Sequence, residues 1–206
     1  MTGRGLPRPV EALLAFAALI VLSPVLLVTA LFVLLGSGRP VLFMQQRVGR
    51  QGRPFAFYKF RTMVSGSSGP LVTAGDDQRI TRIGRILRRT KLDELPEIWN
   101  VLIGDMSLVG PRPEAPRYVD LQAEPRWQKV LAVRPGLTDP TTLSLLDEEA
   151  ILQSVTGDRE EYYRQHLLPR KLDRQIEYLE RRTWRSDLAV VQQTASVLFS
   201  RLGGRR

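Results

Sequence analysis

The chain has no cysteine, one histidine and few lysines, and each shortage removes a class of chemistry. Without cysteine there are no disulfides and no thiolate-bound metal. With His166 as the only imidazole, a histidine-cluster metal site is excluded and a Ser-His hydrolytic triad is not expected. His166 itself is expected on a surface or helix face. The lysines are Lys59, Lys91, Lys129 and Lys171, so most of the 30 basic residues are arginine. Arginine offers a planar fork that matches phosphate, whereas lysine acts as a point charge. Only 21 acidic residues oppose them, and the formal net charge of +9 calls for an anionic partner: nucleic acid, acidic lipid or a phosphorylated substrate. At 206 residues the chain accommodates one ordinary domain and an anchor.

What the chain does have begins with an apolar run from Ala12 to Leu35, interrupted in mid-course by Ser23-Pro24. The run is long enough to cross a bilayer and too long for the apolar region of a signal peptide. Charge argues against a simple span. Arg4 and Arg8 precede the run, and Arg39, Arg47, Arg50 and Arg53 follow it. Positive residues prefer the cytoplasmic side, and a hairpin that enters and leaves by one face keeps both clusters there. Pro24 cannot donate a backbone hydrogen bond, and the Ser23 hydroxyl is placed to satisfy a carbonyl in the preceding turn. Each half of the run is about 16 Å long, roughly one leaflet. The expectation is a re-entrant membrane helix-break-helix over residues 1–38, with a kinked single span as the alternative.

Beyond it, Pro40 to Val48 and Pro54 to Thr62 read as a small β-hairpin around Gly49-Arg-Gln-Gly52. Lys59 and Arg61 would share one face of its second strand. Val64 to Gln78 is a Ser-, Gly- and Asp-rich loop, either a lid or a plain surface loop. Ile80 to Arg89 is a basic amphipathic helix suited to anionic lipid, to nucleic acid or to a solvated face. The second half reads as mostly helical: Glu114 to Ala132 with a break near Pro125, Asp158 to Arg182 with a bend at Pro169, and Asp187 to Leu202. In the last of these, Leu188, Val191, Ala195, Leu198 and Leu202 form one apolar stripe. The fold class is therefore α+β, mostly helical, with a small β-hairpin and amphipathic surface helices.

The acidic pair Asp93-Glu94 stands among cations, with Arg88, Arg89 and Lys91 before it and Gly110-Pro111-Arg112-Pro113 after it. An Asp-Glu pair is ordinarily an N-cap and a first-turn acid. Here the surrounding arginines favour phosphate chemistry, in which a carboxylate attacks phosphorus or holds a metal. Pro96 is expected in the first turn of the helix that follows, placing both carboxylates at its start. Pro113 biases Arg112 towards an extended, stiffly presented conformation.

These residues resemble the monotopic phosphoglycosyl transferases, the bacterial sugar transferase family. The resemblance runs roughly from Leu13 to Thr138. It rests on Ser23-Pro24, Gln46-Arg47-Val-Gly49, Phe57-Tyr58-Lys59-Phe60-Arg61-Thr62-Met63, Leu92-Asp93-Glu94-Leu95, Asn100 to Pro113 and Val133-Arg134-Pro-Gly-Leu-Thr138. It implies transfer of a sugar-1-phosphate from a nucleoside-diphosphate sugar, usually a UDP-sugar, to polyprenyl phosphate, with release of UMP. It implies that Asp93 is the nucleophile, forming a covalent phosphosugar intermediate, and that Mg²⁺ is the cofactor, held with help from Asp93 and Glu94. Lys59, Arg88 and Arg112 are the candidate phosphate contacts. Residues 39–206 would be a catalytic domain on the cytoplasmic face of the bacterial inner membrane. Its partners would be a nucleotide sugar, polyprenyl phosphate and membrane lipid, with no nucleic acid. A membrane-anchored basic protein that binds nucleic acid or acidic lipid without catalysis is the competing expectation. After Thr138 the sequence departs from the better-known small members, running Asp139-Pro140 to Asp147-Glu148-Glu149 where many have Gly-Trp-Ala-Gln-Val-Asn-Gly, so no sugar identity is carried over.

Overall fold

The computed structural model describes residues 5–67, 69, 72–141 and 148–202. Arg4, Pro70 and the middle of the divergent segment after Asp139 lie outside the described residues. The architecture is mostly helical α+β, as expected. Helix α1 (Arg8–Ser37) leads into the hairpin of β1 (Leu42–Val48) and β2 (Pro54–Phe60). Helices α2 (Arg82–Thr90) and α3 (Glu97–Ile103) follow. A two-stranded parallel pair joins β3 (Ser107–Val109) to β4 (Gly136–Thr138), with the short α4 (Trp127–Val130) between them in sequence. The C-terminal part contains α5 (Glu148–Ser154), α6 (Arg159–Tyr162), α7 (Leu168–Arg181) and α8 (Trp184–Leu202).

Helix α1 is continuous through Ser23-Pro24. The expected helix-break-helix is therefore not seen: Pro24 costs one backbone hydrogen bond and the helix runs on through it. Pro24 has no N–H to offer, and the Ser23 hydroxyl donates to the Ile20 carbonyl instead, at 2.7 Å. One stripe of α1 packs on the domain. Ala15, with Ala18, Leu19 and Leu22 beside it, meets Phe57, Ile98, Val101 and Met106. Val33 meets Phe60 and Leu87. The rest faces outward: Leu13, Phe16, Val21, Leu27 and Leu35 are exposed, and only 11% of the most apolar 18-residue window is buried. That is not the burial of a soluble core helix.

Both ends of α1 are tied to the same body. Arg8 donates to the Val101 and Leu102 carbonyls, at 2.7 Å each, at the end of α3. At the other end Arg61 donates to the carbonyls of Ser37, Gly38 (2.7 Å) and Arg39 (2.8 Å), and to the Ser65 hydroxyl. Arg61 was expected beside Lys59 on one strand face. Strand β2 ends at Phe60, and the Arg61 guanidinium is committed to this clamp instead.

Several helical expectations change. Glu114 to Ala132 is largely irregular, with a 3₁₀ turn at Pro116–Tyr118 and then α4. Pro113, Pro116 and Pro125 withhold donors, and the Asp120 carboxylate takes the N–H groups of Gln122 and Ala123, closing a local turn. The helical stretch expected from Asp158 starts there, with Asp158 as the cap of α6. The bend expected near Pro169 is a π turn at Tyr163–Leu167. Helix α8 starts at Trp184, three residues early, and among its described side chains it buries Asp187 and Val190, while Leu188 is exposed. The side chains of Leu198 and Leu202 lie outside the described residues. His166 is exposed and stacks on Tyr162.

Candidate active site

Helix α2 delivers the acidic pair. Thr81 caps its start, accepting from the Gly84 N–H at 2.9 Å, and Lys91 closes its end in the left-handed region at φ 60°. Such a conformation costs a non-glycine residue free energy and is commonly found at functional sites. It reverses the chain into a 3₁₀ turn at Leu92–Glu94. The pair was expected in the first turn of the next helix. That helix, α3, begins only at Glu97, with Pro96 as its N-cap. The turn, rather than a helix N-terminus, presents the carboxylates.

Asp93 is 4% exposed, and its Oδ1 has no hydrogen-bond partner. Glu94 accepts from Arg112 through both carboxylate oxygens, with Nη1 to Oε2 at 3.4 Å and a closer contact from Nη2 to Oε1. The motif reading passed over Glu97. It is fully buried, and neither carboxylate oxygen has a partner. Its position in the first turn after an Asp-Glu-Leu-Pro sequence was the available signal. Asn100, also fully buried, fastens α3 to β2: its Nδ2 donates to the Ala56 carbonyl at 2.6 Å, and its Oδ1 accepts from the Tyr58 N–H at 3.3 Å. This join sets the acidic turn against the strand that carries Lys59.

Two glycines set the loop bearing Arg112. A Cβ on Gly136 would lie 2.1 Å from the Gly110 nitrogen, so β4 and the chain leaving β3 meet backbone to backbone. Gly136 N–H donates to the Pro111 carbonyl at 2.9 Å, and Arg112 N–H donates to the Asp139 carboxylate at 3.1 Å. Asp139, the first residue of the divergent segment, thereby helps to hold the loop.

The electrostatics follow from burial set against charge. Burial pushes the Asp93 carboxyl up and the neighbouring Glu94 adds to this, against the pull of Lys59, Lys91 and Arg88. Burial would also raise Glu94, but the charges of Arg112, Lys91 and Lys59 prevail and hold it at about 2. Glu97 is pushed well up by burial and by Glu94. Lys59 is half-buried and pushed down by desolvation, partly offset by Asp93. The structure thus brings Asp93, Glu94, Lys59 and Arg112 together. Arg88 also acts on Asp93 but is paired with Glu149, Nε to Oε1 at 3.1 Å.

Among the described residues, no three acidic or histidine side chains are arranged to hold a metal. Unpartnered carboxylate oxygens on Asp93 and Glu97 nevertheless suit a hard cation. Magnesium commonly takes one or two carboxylates and completes its shell with substrate phosphates and water, so this donor set fits it.

Residues 3–201 match the family described as bacterial sugar transferase. Similar proteins include the UDP-glucose:undecaprenyl-phosphate glucose-1-phosphate transferase of Caulobacter vibrioides, 38% identical over 182 residues, which are 86% of this chain and 64% of the relative. The UDP-N-acetylgalactosamine-undecaprenyl-phosphate N-acetylgalactosaminephosphotransferase of Aeromonas hydrophila is 42% identical over 135 residues, 64% of this chain and 32% of the relative. The exopolysaccharide production protein PSS of Rhizobium leguminosarum bv. phaseoli is 44% identical over 144 residues, 65% of this chain and 70% of the relative. The match spans 64% of the length of the first of these and 32% of the second. The match covers nearly the whole chain, from before α1 into α8, and the chain belongs to the bacterial sugar transferase family.

Proposed function

We propose that this protein transfers a sugar-1-phosphate from a nucleoside-diphosphate sugar, a UDP-sugar by analogy with the names of its relatives, to undecaprenyl phosphate or a similar polyprenyl phosphate. The observation that carries this reading is the buried Asp93 carboxylate, with one oxygen unpartnered and Lys59, Lys91 and Arg88 acting on it. Asp93 attacks the sugar-bearing phosphorus and expels the nucleoside monophosphate. The lipid phosphate then attacks the same phosphorus and frees Asp93. Two steps at one nucleophile let a soluble donor and a lipid acceptor use the site in turn. Lys59 and Arg112 compensate charge on the diphosphate, and Arg88 joins them when the substrate displaces Glu149. Asp93 and Glu97, whose carboxylate oxygens are unpartnered, would hold magnesium, with Glu94 joining them once the diphosphate draws Arg112 away. The ion would neutralise diphosphate charge when bound.

Helix α1 anchors the enzyme at the cytoplasmic face of the membrane, entering and leaving through one leaflet. Its outward apolar face and the attachment of both its ends to one domain support this. Exposed Arg82, Arg85 and Arg89 on α2 would lie among anionic headgroups.

Purified protein supplied with Mg²⁺, a panel of UDP-sugars and undecaprenyl phosphate should release UMP. The Asp93→Asn variant should lose at least about 10³-fold in rate while remaining membrane-bound. Unchanged release would remove Asp93 from the nucleophile's role. Cysteines introduced at positions 4 and 47 should label from the same side of sealed vesicles, and labelling from opposite sides would exclude the one-leaflet anchor.

A further inference from the structure

The loop Pro111-Arg112-Pro113 is held from behind by a buried polar network that the proposed chemistry does not use. Glu114, directly after Pro113, is 7% exposed. Its Oε1 accepts from Lys171 Nζ at 2.7 Å and from the Tyr163 hydroxyl at 2.6 Å. Lys171 also donates to the Tyr163 oxygen at 2.9 Å and to Glu148 at 3.2 Å. On the other side, the Glu114 carbonyl accepts from the Val48 N–H at 3.0 Å, and Arg47 Nη1 donates to the Pro113 carbonyl at 3.3 Å. The loop is thus gripped between the hairpin and the α6–α7 rod.

The π turn makes this grip possible. Tyr163 and Lys171 are eight residues apart. At about 100° per residue, a regular α-helix would leave them about 80° apart around the axis. The π turn at Tyr163–Leu167 absorbs one extra residue. Seven effective steps give about 700°, which brings the two within about 20° of one face. Side chains in a helix lean towards its N-terminus, so Lys171 reaches back to the Tyr163 hydroxyl. The irregular turn lies where it is needed to aim both groups at Glu114.

Stability alone does not account for the network. A buried ion pair commonly contributes no more than apolar packing of the same volume. What this pair fixes is the residue next to Pro113, and between two prolines the backbone of Arg112 follows its neighbours. We infer that Glu114, Lys171 and Tyr163 are positioning residues that set the Arg112 guanidinium for the donor's diphosphate, with the π turn as the device that aligns them. This rests on the proposed transfer reaction and deepens its account of donor binding.

The test uses the full chain in detergent and titrates UDP with Mg²⁺ by calorimetry, with thermal melts alongside. Tyr163→Phe removes one hydrogen bond and keeps the ring, and Lys171→Met removes the charge. Each should weaken UDP binding, by about threefold for the phenylalanine and about tenfold or more for the methionine. In an Arg112→Ala background the same changes should cost little further affinity, because the group they position is absent. Should Lys171→Met fail to fold, the Tyr163→Phe cycle decides. A lowered Tm with unchanged UDP affinity would overturn the inference, and so would equal losses with and without Arg112. Wild-type protein that binds no UDP would overturn the transfer reading and this inference with it.

Discussion

Two buried carboxylates in this molecule are set in opposite directions by their surroundings. Glu114 is held low: burial would raise it, but Lys171 and Arg47 more than offset this. Its contribution to stability is therefore complete above the ordinary carboxylate pKa and is lost as pH falls through its lowered folded value. Replacing it with glutamine leaves Lys171 buried without its main counter-charge, and Glu114→Gln should destabilise the fold by about 3–5 kcal/mol near neutrality. The gap to wild type should narrow below about pH 4, as the wild-type carboxylate protonates. Denaturant melts across pH would check both. Glu97 is the converse. Its folded value is raised by burial and by Glu94, so it opposes folding increasingly as pH rises above the unfolded value. In metal-free buffer, Glu97→Gln should match wild-type Tm near pH 4 and exceed it at pH 8. Equal Tm at both would mean that the carboxyl is not penalised by its burial. Of these groups, Asp93, Glu94, Lys59 and Arg112 were legible because they sit in dense motifs. Glu97 was not, because a lone glutamate in a first turn reads as an ordinary helix start.

At the scale of elements, what the sequence revealed depended on how local the determinant was. The apolar run of α1 and the Gly49-Arg-Gln-Gly52 hairpin each depend on a few adjacent residues, and both were legible; the Thr81 and Asp158 caps are equally local but were not read. The π turn was invisible, because periodicity counted at 3.6 residues per turn has no place for an inserted residue. The stretch after Glu114 read as helix from its composition, yet its prolines and the Asp120 turn prevail. Arg61 read as sharing a strand face with Lys59 because alternation predicts direction but not which distant carbonyls stand nearby. Helix α3 is short, and its end is covered by Arg8 from α1. Arg8→Ala should leave the Val101 and Leu102 carbonyls without this donor and cost about 1.5–3 kcal/mol. Lys at the same position should restore part of it, lacking the fork that meets two carbonyls at once. Thermal melts in one detergent would measure both.

Taken whole, the molecule combines a formal charge of +9 with an outward apolar face along α1. The two would hold it to a bilayer by different physics. Attraction of exposed arginines to anionic lipid is screened by salt, whereas burial of apolar surface is not. Washing membranes with about 1 M salt, where screening reaches only about 3 Å, should leave the protein in the pellet, and detergent should release it. Release by salt alone would mean that α1 is not inserted.

The clamp formed by Arg61 ties these scales together. Its guanidinium joins the exit of α1 to the chain just past β2, and Lys59 stands two residues upstream on that strand. A helix sliding along its axis would drag the strand with it. With α1 inserted as proposed, depth in the lipid and the placement of Lys59 would be coupled through this clamp, and a load on α1 would reach that strand.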